Sequence, residues 1–381
     1  MIPLMHAARP CARHCAVATL TLLAHLGAPP AVRAAEPDSA QLQQLLKRYP
    51  DADTNHDGVL SLEEAQAYAK IIRRNKAAKK TGAAKANLIA PTHANLKYGP
   101  YENNVLDLWL ARSDRPTPLI VHIHGGGFVN GDKKGVDGKL LQECLDAGVS
   151  FMSINYRFRT DAAIQDILRD CARSIQFVRA HAAEYHLDPA RIVSYGGSAG
   201  AGTSLWLAFH PDLADPKSPD PVLRESSRIA GAGALNTQAT YDMVEWERKI
   251  GKFKPEWQPP GEVVSLYRFK STADLDTPEG RRVLDDVSML RLVSPDDPPV
   301  FLYTSTPDIA PLDRGQLLHH PDHARAVKAA CDAAGVPATV YFAEADPRPP
   351  RDYRELLRDF LFSRLKVNRP AAPAPAASAT K

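Results

Sequence analysis

Residues 195–202 read YGGSAGAG, directly after the apolar run Arg191-Ile192-Val193-Ser194 and ahead of TSLWLAF. A strand-like run, a glycine-flanked serine and a helix-forming run in that order make Gly196-Gly197-Ser198-Ala199-Gly200 a G-x-S-x-G turn. Side chains in place of the flanking glycines would collide with the neighbouring strand and helix. The turn lifts the Ser198 hydroxyl out at the carboxyl edge of a sheet. There the N–H of Ala199 and the helix start favour a developing negative charge.

Such a serine makes demands on the rest of the chain, and the first is met upstream. PLIVHIHGGGF (118–128) ends a candidate strand with His124-Gly125-Gly126-Gly127-Phe128. Three consecutive glycines let the N–H groups of Gly126 and Gly127 approach a substrate oxygen and complete an oxyanion hole with Ala199. Seven strand candidates run through the chain: VLDLWL, PLIVHIH, VSFMSINY, RIVSYG, RIAGAGAL, PPVFLYTS and PATVYFA. Helical stretches separate several of them, and in 161–186 Ile164, Ile167, Leu168, Cys171, Ile175 and Val178 recur at helical spacing. This alternation predicts an α/β fold, a mostly parallel central sheet with helices on both faces. The segment from about 240 to 290, rich in Trp, Pro and charge, interrupts the pattern and is expected to form a helical cap. Its Trp246 and Trp257 suit an aromatic or carbohydrate-linked ester and suit core packing equally.

HGGGF, INYRF (154–158), DPARIVSYGGSAGAG (188–202) and PPVFLYTSTPD (298–308) together resemble the α/β-hydrolase fold esterases. The branch is the one related to hormone-sensitive lipase and to bacterial feruloyl and acetylxylan esterases. The resemblance spans about 95–365. It implies Ser198 as nucleophile, Gly126, Gly127 and Ala199 as oxyanion donors, and His124 as scaffold. It also implies an acid at the end of a late strand, where Asp308 stands with Asp313 further along the loop, and a histidine after the last strand. That histidine is missing: ADPRPPRDYRELLRDF holds none, and none follows His323. The loop after Asp308 offers LLHHPDHARAVKAA instead. His320 is the base in this reading, His319 the alternative, and His323 lies a turn inside the helix; a solvated helix entry is the plain explanation of the same residues. Asn236, Gln238, Tyr156 and Arg157, at strand ends, are further candidates to meet a substrate.

Ahead of the sheet pattern, Asp53-Thr54-Asn55-His56-Asp57-Gly58-Val59-Leu60-Ser61-Leu62-Glu63-Glu64 has the form of an EF-hand loop. Oxygen donors fall at Asp53, Asn55, Asp57, Ser61 and Glu64, with the carbonyl of Val59 between them and Gly58 at the sharp turn. The expectation is a structural or regulatory Ca²⁺ outside the catalytic site. It is a single loop without a second EF-hand beside it, and an acidic turn that never fills is the alternative. Residues 1–34 carry Arg9 and Arg13, the apolar stretch AVATLTLLAHLGA and Val32-Arg33-Ala34, the layout of a signal peptide. Secretion or a periplasmic location is therefore expected, without a membrane span in the mature chain. The three arginines of this segment equal the chain's formal charge of +3, which leaves no basic excess for nucleic acid. Cys144, Cys171 and Cys331, widely spaced, predict neither a zinc site nor a disulfide framework.

The expected organisation is thus a signal peptide (1–34), a single EF-hand (39–75), a linker (76–94), a hydrolase domain (95–366) and a disordered Pro/Ala-rich tail (367–381). The expected activity is that of a secreted serine carboxylic ester hydrolase working through an acyl-enzyme on a small-molecule or carbohydrate-linked ester. Two other readings stand beside it: a pseudohydrolase that binds without catalysing, and a serine peptidase of the prolyl oligopeptidase type.

Overall fold

The computed structural model describes residues 89–368 apart from 252–256, 258, 259, 309, 310, 312, 313, 344 and 346. N-terminal to these it describes 42, 43, 46, 52–54, 57–65, 67 and 68. The signal-peptide and tail expectations, most of the linker, Asn55 and Asp313 lie outside the described residues. The chain divides into two units, 1–87 and 88–381.

The second unit is an eight-stranded sheet in the order β1-β2-β4-β3-β5-β6-β7-β8. The strands are β1 (His93–Lys97), β2 (Val105–Trp109), β3 (Thr117–Ile123), β4 (Ser150–Ile154), β5 (Leu187–Gly197), β6 (Ala232–Leu235), β7 (Val300–Thr304) and β8 (Ala338–Phe342). From β4 to β8 every pairing is parallel, while β2 is antiparallel to both β1 and β4. Seven strands coincide with the apolar runs of the sequence. β1, HANLK, does not: it is a polar edge strand, so no hydrophobic alternation announces it. Residue 89 already belongs with this unit, since the Trp109 indole donates to the Ile89 carbonyl at 2.7 Å.

β3, TPLIVHI, is buried throughout, as a central parallel strand covered on both faces must be. Its side chains alternate between two cores. Leu119, Val121 and Ile123 face helices α2 (Ile164–Ala180), α3 (Ala199–Phe209) and α9 (Pro321–Ala334), whereas Ile120 faces α1 (Gly138–Asp146) and α10 (Tyr353–Leu365). α3 is buried on every side. The interruption expected at 240–290 is helical: α4 (Met243–Ile250), α5 (Pro260–Tyr267), α6 (Pro278–Asp286) and the short α7 (Met289–Leu292), with α8 (Arg314–Leu318) following β7. Cys144, Cys171 and Cys331 are free and buried. Among the described residues no helix is long and apolar enough to cross a membrane.

In the register of the sheet, Ile123 lies beside Gly196, Gly197 beside Leu235, and Leu235 beside Tyr303. The carboxyl ends of β3, β5, β6 and β7 therefore share one edge, and the segments leaving them meet there.

In the first unit, Ala52, Leu60 and Ala65 form a small buried cluster with Leu42, Leu46 and Tyr68 against it. Gly58 has φ +80° and donates its N–H to Asp53 Oδ2 at 2.9 Å. The Glu64 carboxylate folds back over the loop, accepting from Thr54 N–H and from the Ser61 hydroxyl. Asp53 is buried, and its Oδ1 has no hydrogen-bond partner. Among the described residues no three His, Cys, Asp or Glu side chains gather as a metal cluster.

Candidate active site

β5 ends at Gly197, and the backbone turns through Ser198 at φ 53°, ψ −120°, before α3 begins. This conformation is strained for a residue with a Cβ, at a cost of about 1–3 kcal/mol. The surrounding packing enforces it. Ser198 N–H donates to the Leu235 carbonyl at 2.9 Å, and its own carbonyl accepts from Ala201 and Gly202. A Cβ at Gly196 or Gly200 would stand 2.4 Å or 2.0 Å from the Ile123 carbonyl, so this approach of the turn to β3 is open to glycine alone.

The loop after β3 lies on the other side of that contact. Gly126 and Gly127 have φ +112° and +60°, and the Gly126 carbonyl accepts from Val129 and Asn130. Among the described residues, no hydrogen bond uses the N–H of Gly126, Gly127 or Ala199 as donor. Beneath them His124 stacks on Tyr156 at 4.3 Å, and the Tyr156 hydroxyl donates to the His124 carbonyl at 2.7 Å. His124 Nδ1 bonds the Gly125 carbonyl at 2.7 Å, and burial lowers the pKa of its ring. His124 is thus scaffold. Tyr156, a candidate substrate contact from its strand end, is fully buried and does the same work. Arg157 lies over the Tyr101 ring and pairs with Asp170, and the Asn236 side chain accepts from Ser305. None of these three lines the cavity at Ser198.

The imidazole that reaches the serine belongs to His319. Its Nε2 is 2.8 Å from Ser198 Oγ, and its Nδ1 is 2.9 Å from the Gly315 carbonyl. A carbonyl can only accept, so Nδ1 carries the proton and Nε2 presents its lone pair to the hydroxyl. The expected His320–Asp308 arrangement does not form. His320 is the N-cap of α9, where its ring accepts the Asp322 N–H. Asp308 does stand just past β7, but Arg325, one turn into α9, takes both its oxygens. The pair is half-exposed, and the guanidinium lowers the pKa of Asp308. Among the described residues Asp308 bonds no histidine ring.

The His319 turn is clamped from β6. Gln238 Nε2 donates to the Leu318 carbonyl at 2.8 Å. Fully buried His323 accepts the Ala239 N–H at 3.1 Å, and its Nε2 meets the Leu317 carbonyl at 3.0 Å. Burial lowers the pKa of His323 to about 3, so it is neutral and holds one tautomer.

A cavity of about 210 Å³ opens over Ser198, walled by Gly127, Phe128, Tyr241, Trp246, Val263 and Leu266. Trp246 is a core residue: its indole donates to the Thr240 carbonyl and its ring meets His323 edge-on. Arg159, Glu262 and Arg314, which no sequence motif marks, also border the cavity. They come from three separate segments, and only the fold brings them together.

Similarity to known proteins follows this geometry. A probable carboxylic ester hydrolase of Mycobacterium tuberculosis is 28% identical over 213 residues, 55% of this chain and 46% of that protein. A probable isoprenylcysteine α-carbonyl methylesterase of Arabidopsis thaliana is 33% identical over 182 residues, 42% of this chain and 38% of that one. The chain thus spans less than half the length of these two relatives. Among solved structures, an acetyl ester-xyloside bifunctional hydrolase from Caldicellulosiruptor lactoaceticus superposes with a TM-score of 0.55 at 20% identity, over 72% of this chain and 97% of its own. A truncated carbohydrate esterase from gut microbiota gives 0.57 at 19% identity, over 74% and 99%. At such identities these two share the fold. The BD-FAE family model matches residues 106–321, from β2 to the start of α9 and across Gly126, Gly127, Ser198, Ala199 and His319, and the chain belongs to the BD-FAE family.

Proposed function

We propose that the chain is a serine carboxylic ester hydrolase acting through an acyl-enzyme on small-molecule esters. The observation that carries this reading is the 2.8 Å contact between Ser198 Oγ and His319 Nε2 on a strained elbow. In the reaction Oγ attacks the ester carbonyl carbon while its proton passes to Nε2. The carbonyl electron pair moves onto oxygen, where the N–H groups of Gly126, Gly127 and Ala199 receive it. Collapse breaks the bond to the alcohol, which leaves with the proton from Nε2. Water, deprotonated by the same nitrogen, then releases the acid and restores the serine. The Gly315 carbonyl holds Nδ1–H throughout. A pseudohydrolase has less support, because the base missing after β8 has a substitute in contact with the nucleophile.

The test is turnover of p-nitrophenyl acetate with a pre-steady-state burst, together with trapping of Ser198 by a phosphonylating reagent read by mass spectrometry. A wild type no faster than Ser198→Ala would sink the proposal.

We propose further that the 53–64 loop takes Ca²⁺, with Asp53, Asn55, Asp57, Ser61, Glu64 and the Val59 carbonyl as donors. The buried, unpartnered Asp53 Oδ1 and the left-handed turn at Gly58 support it. The ion would order the first unit and takes no part in ester cleavage. Calorimetric titration with Ca²⁺ should give one site that Glu64→Gln abolishes. Export rests on the 1–34 pattern and is tested by the mass of the chain recovered outside the cytoplasm.

A further inference from the structure

The wall of the Ser198 cavity carries an uneven set of charges. Two guanidinium groups share one carboxylate oxygen: Arg159 Nη1 and Arg314 Nη2 each lie 2.7 Å from Glu262 Oε1. Among the described residues no other charged side chain lines the cavity, so the described lining holds two guanidinium groups and one carboxylate. Arg268, which donates to the carbonyls of Arg159 and Thr160, and Asp161, which accepts from the Thr160 hydroxyl, are both exposed and outside the lining. Among the described residues Arg314 reaches Glu262 through Nη2 alone, and its partly exposed guanidinium keeps a second terminal nitrogen that a planar anion would engage.

The three groups line the same cavity as Ser198. Arg159 is tied to the oxyanion loop, since its backbone N–H donates to the Phe128 carbonyl at 2.8 Å. Glu262 belongs to cap helix α5, and Arg314 opens α8, the helix that ends just before His319. Apart from Ser198 and Gln238, the other described lining residues are glycine or largely apolar side chains, so the two guanidinium groups are the cationic partners an anion would meet in the described lining.

We propose, resting on the hydrolase reading above, that the site selects esters carrying a second, anionic carboxylate, held by Arg159 and Arg314 while Ser198 attacks the ester bond. Such substrates are half-esters of dicarboxylic acids or esters of hydroxy acids. Glu262 competes for the same guanidinium groups and sets how strongly the subsite is felt.

The test compares matched pairs. Monoethyl adipate against ethyl hexanoate places the carboxylate on the acyl side, and 4-acetoxybenzoate against 4-acetoxybenzamide places it on the alcohol side. The quantity read is the ratio of kcat/KM, charged over neutral. In at least one pair the wild-type ratio should exceed one, fall about tenfold or more in Arg314→Gln, as expected for losing a charge-assisted bond, and rise in Glu262→Gln. A purely structural clamp would move both members of a pair together, and an unchanged ratio in both pairs overturns the proposal. Calorimetric binding of monoethyl adipate to Ser198→Ala, with and without Arg314→Gln, tests the subsite apart from hydrolysis. Equal affinity in the two proteins overturns the subsite even if the esterase reading stands. Arginine-dependent binding with no turnover in the wild type would leave the subsite and sink the hydrolase.

Discussion

Ser198 is held by main chain and His319 by side chains, although they touch. The elbow hangs on backbone hydrogen bonds to β6 and α3 and on glycines pressed against the Ile123 carbonyl. The His319 turn hangs on Gln238 and His323, two side chains that reach the carbonyls of Leu317 and Leu318. The first arrangement is close backbone packing and tolerates almost no substitution. The second rests on side-chain hydrogen bonds and can be loosened by degrees. A nucleophile must keep one strained geometry, whereas a base need only bring one nitrogen within hydrogen-bond reach.

The largest effects should come from the two groups in contact. Ser198→Ala and His319→Ala should each lower kcat/KM on a p-nitrophenyl ester by about a thousandfold or more. His320→Ala and Asp308→Asn should cost less than about tenfold. A collapse in His320→Ala with activity kept in His319→Ala would break the comparison at its centre. Next comes Gly200→Ala, whose Cβ would stand 2.0 Å from backbone oxygen. It should lower unfolding free energy by about 3 kcal/mol or more, measured by denaturant titration, and a wild-type midpoint would show the elbow to be softer than drawn.

Loosening the histidine side should be milder. Gln238→Leu removes the donor to the Leu318 carbonyl and should cost about 1–3 kcal/mol. It should be read mainly in kcat, with KM nearly constant. A pH dependence comes last. His323 is neutral in the fold, its pKa lowered by burial to about 3, but titrates near 6.5 once unfolded. The unfolded chain therefore binds the extra proton. Stability from this group is complete above pH 6.5 and is lost as pH falls from 6.5 toward 3. The fall in melting temperature between pH 7 and pH 4.5 should be smaller in His323→Gln than in the wild type; equal falls would remove His323 from the clamp's titration.

The same contrast explains what could be read without coordinates. The elbow, the glycine loop and seven strands are legible because their physics is local: apolar runs, turn glycines and helix starts sit in neighbouring residues. β1 escapes because HANLK is polar and largely exposed, whereas β8, the other edge strand, keeps the apolar run ATVYF. The choice between His319 and His320 turns on one residue of helix phase, since α8 ends with Leu318 while His320 is already occupied as the cap of α9. Asp308 has the right strand-end position, but Arg325 arrives from a helix that the strand pattern does not align. Arg159, Glu262 and Arg314 have no shared spacing at all.

Every side chain and N–H group assigned a part in the chemistry, from Gly126 to His319, precedes α9. β8 and α10 then serve as ballast. They close the sheet and fill its second face through Leu356, Leu357, Leu361 and Phe362. A chain cut after α9 would retain each proposed reacting group and lose the surface that keeps them in register. On the proposed assignment the reacting histidine lies before α9, and β8 contributes through the sheet it completes.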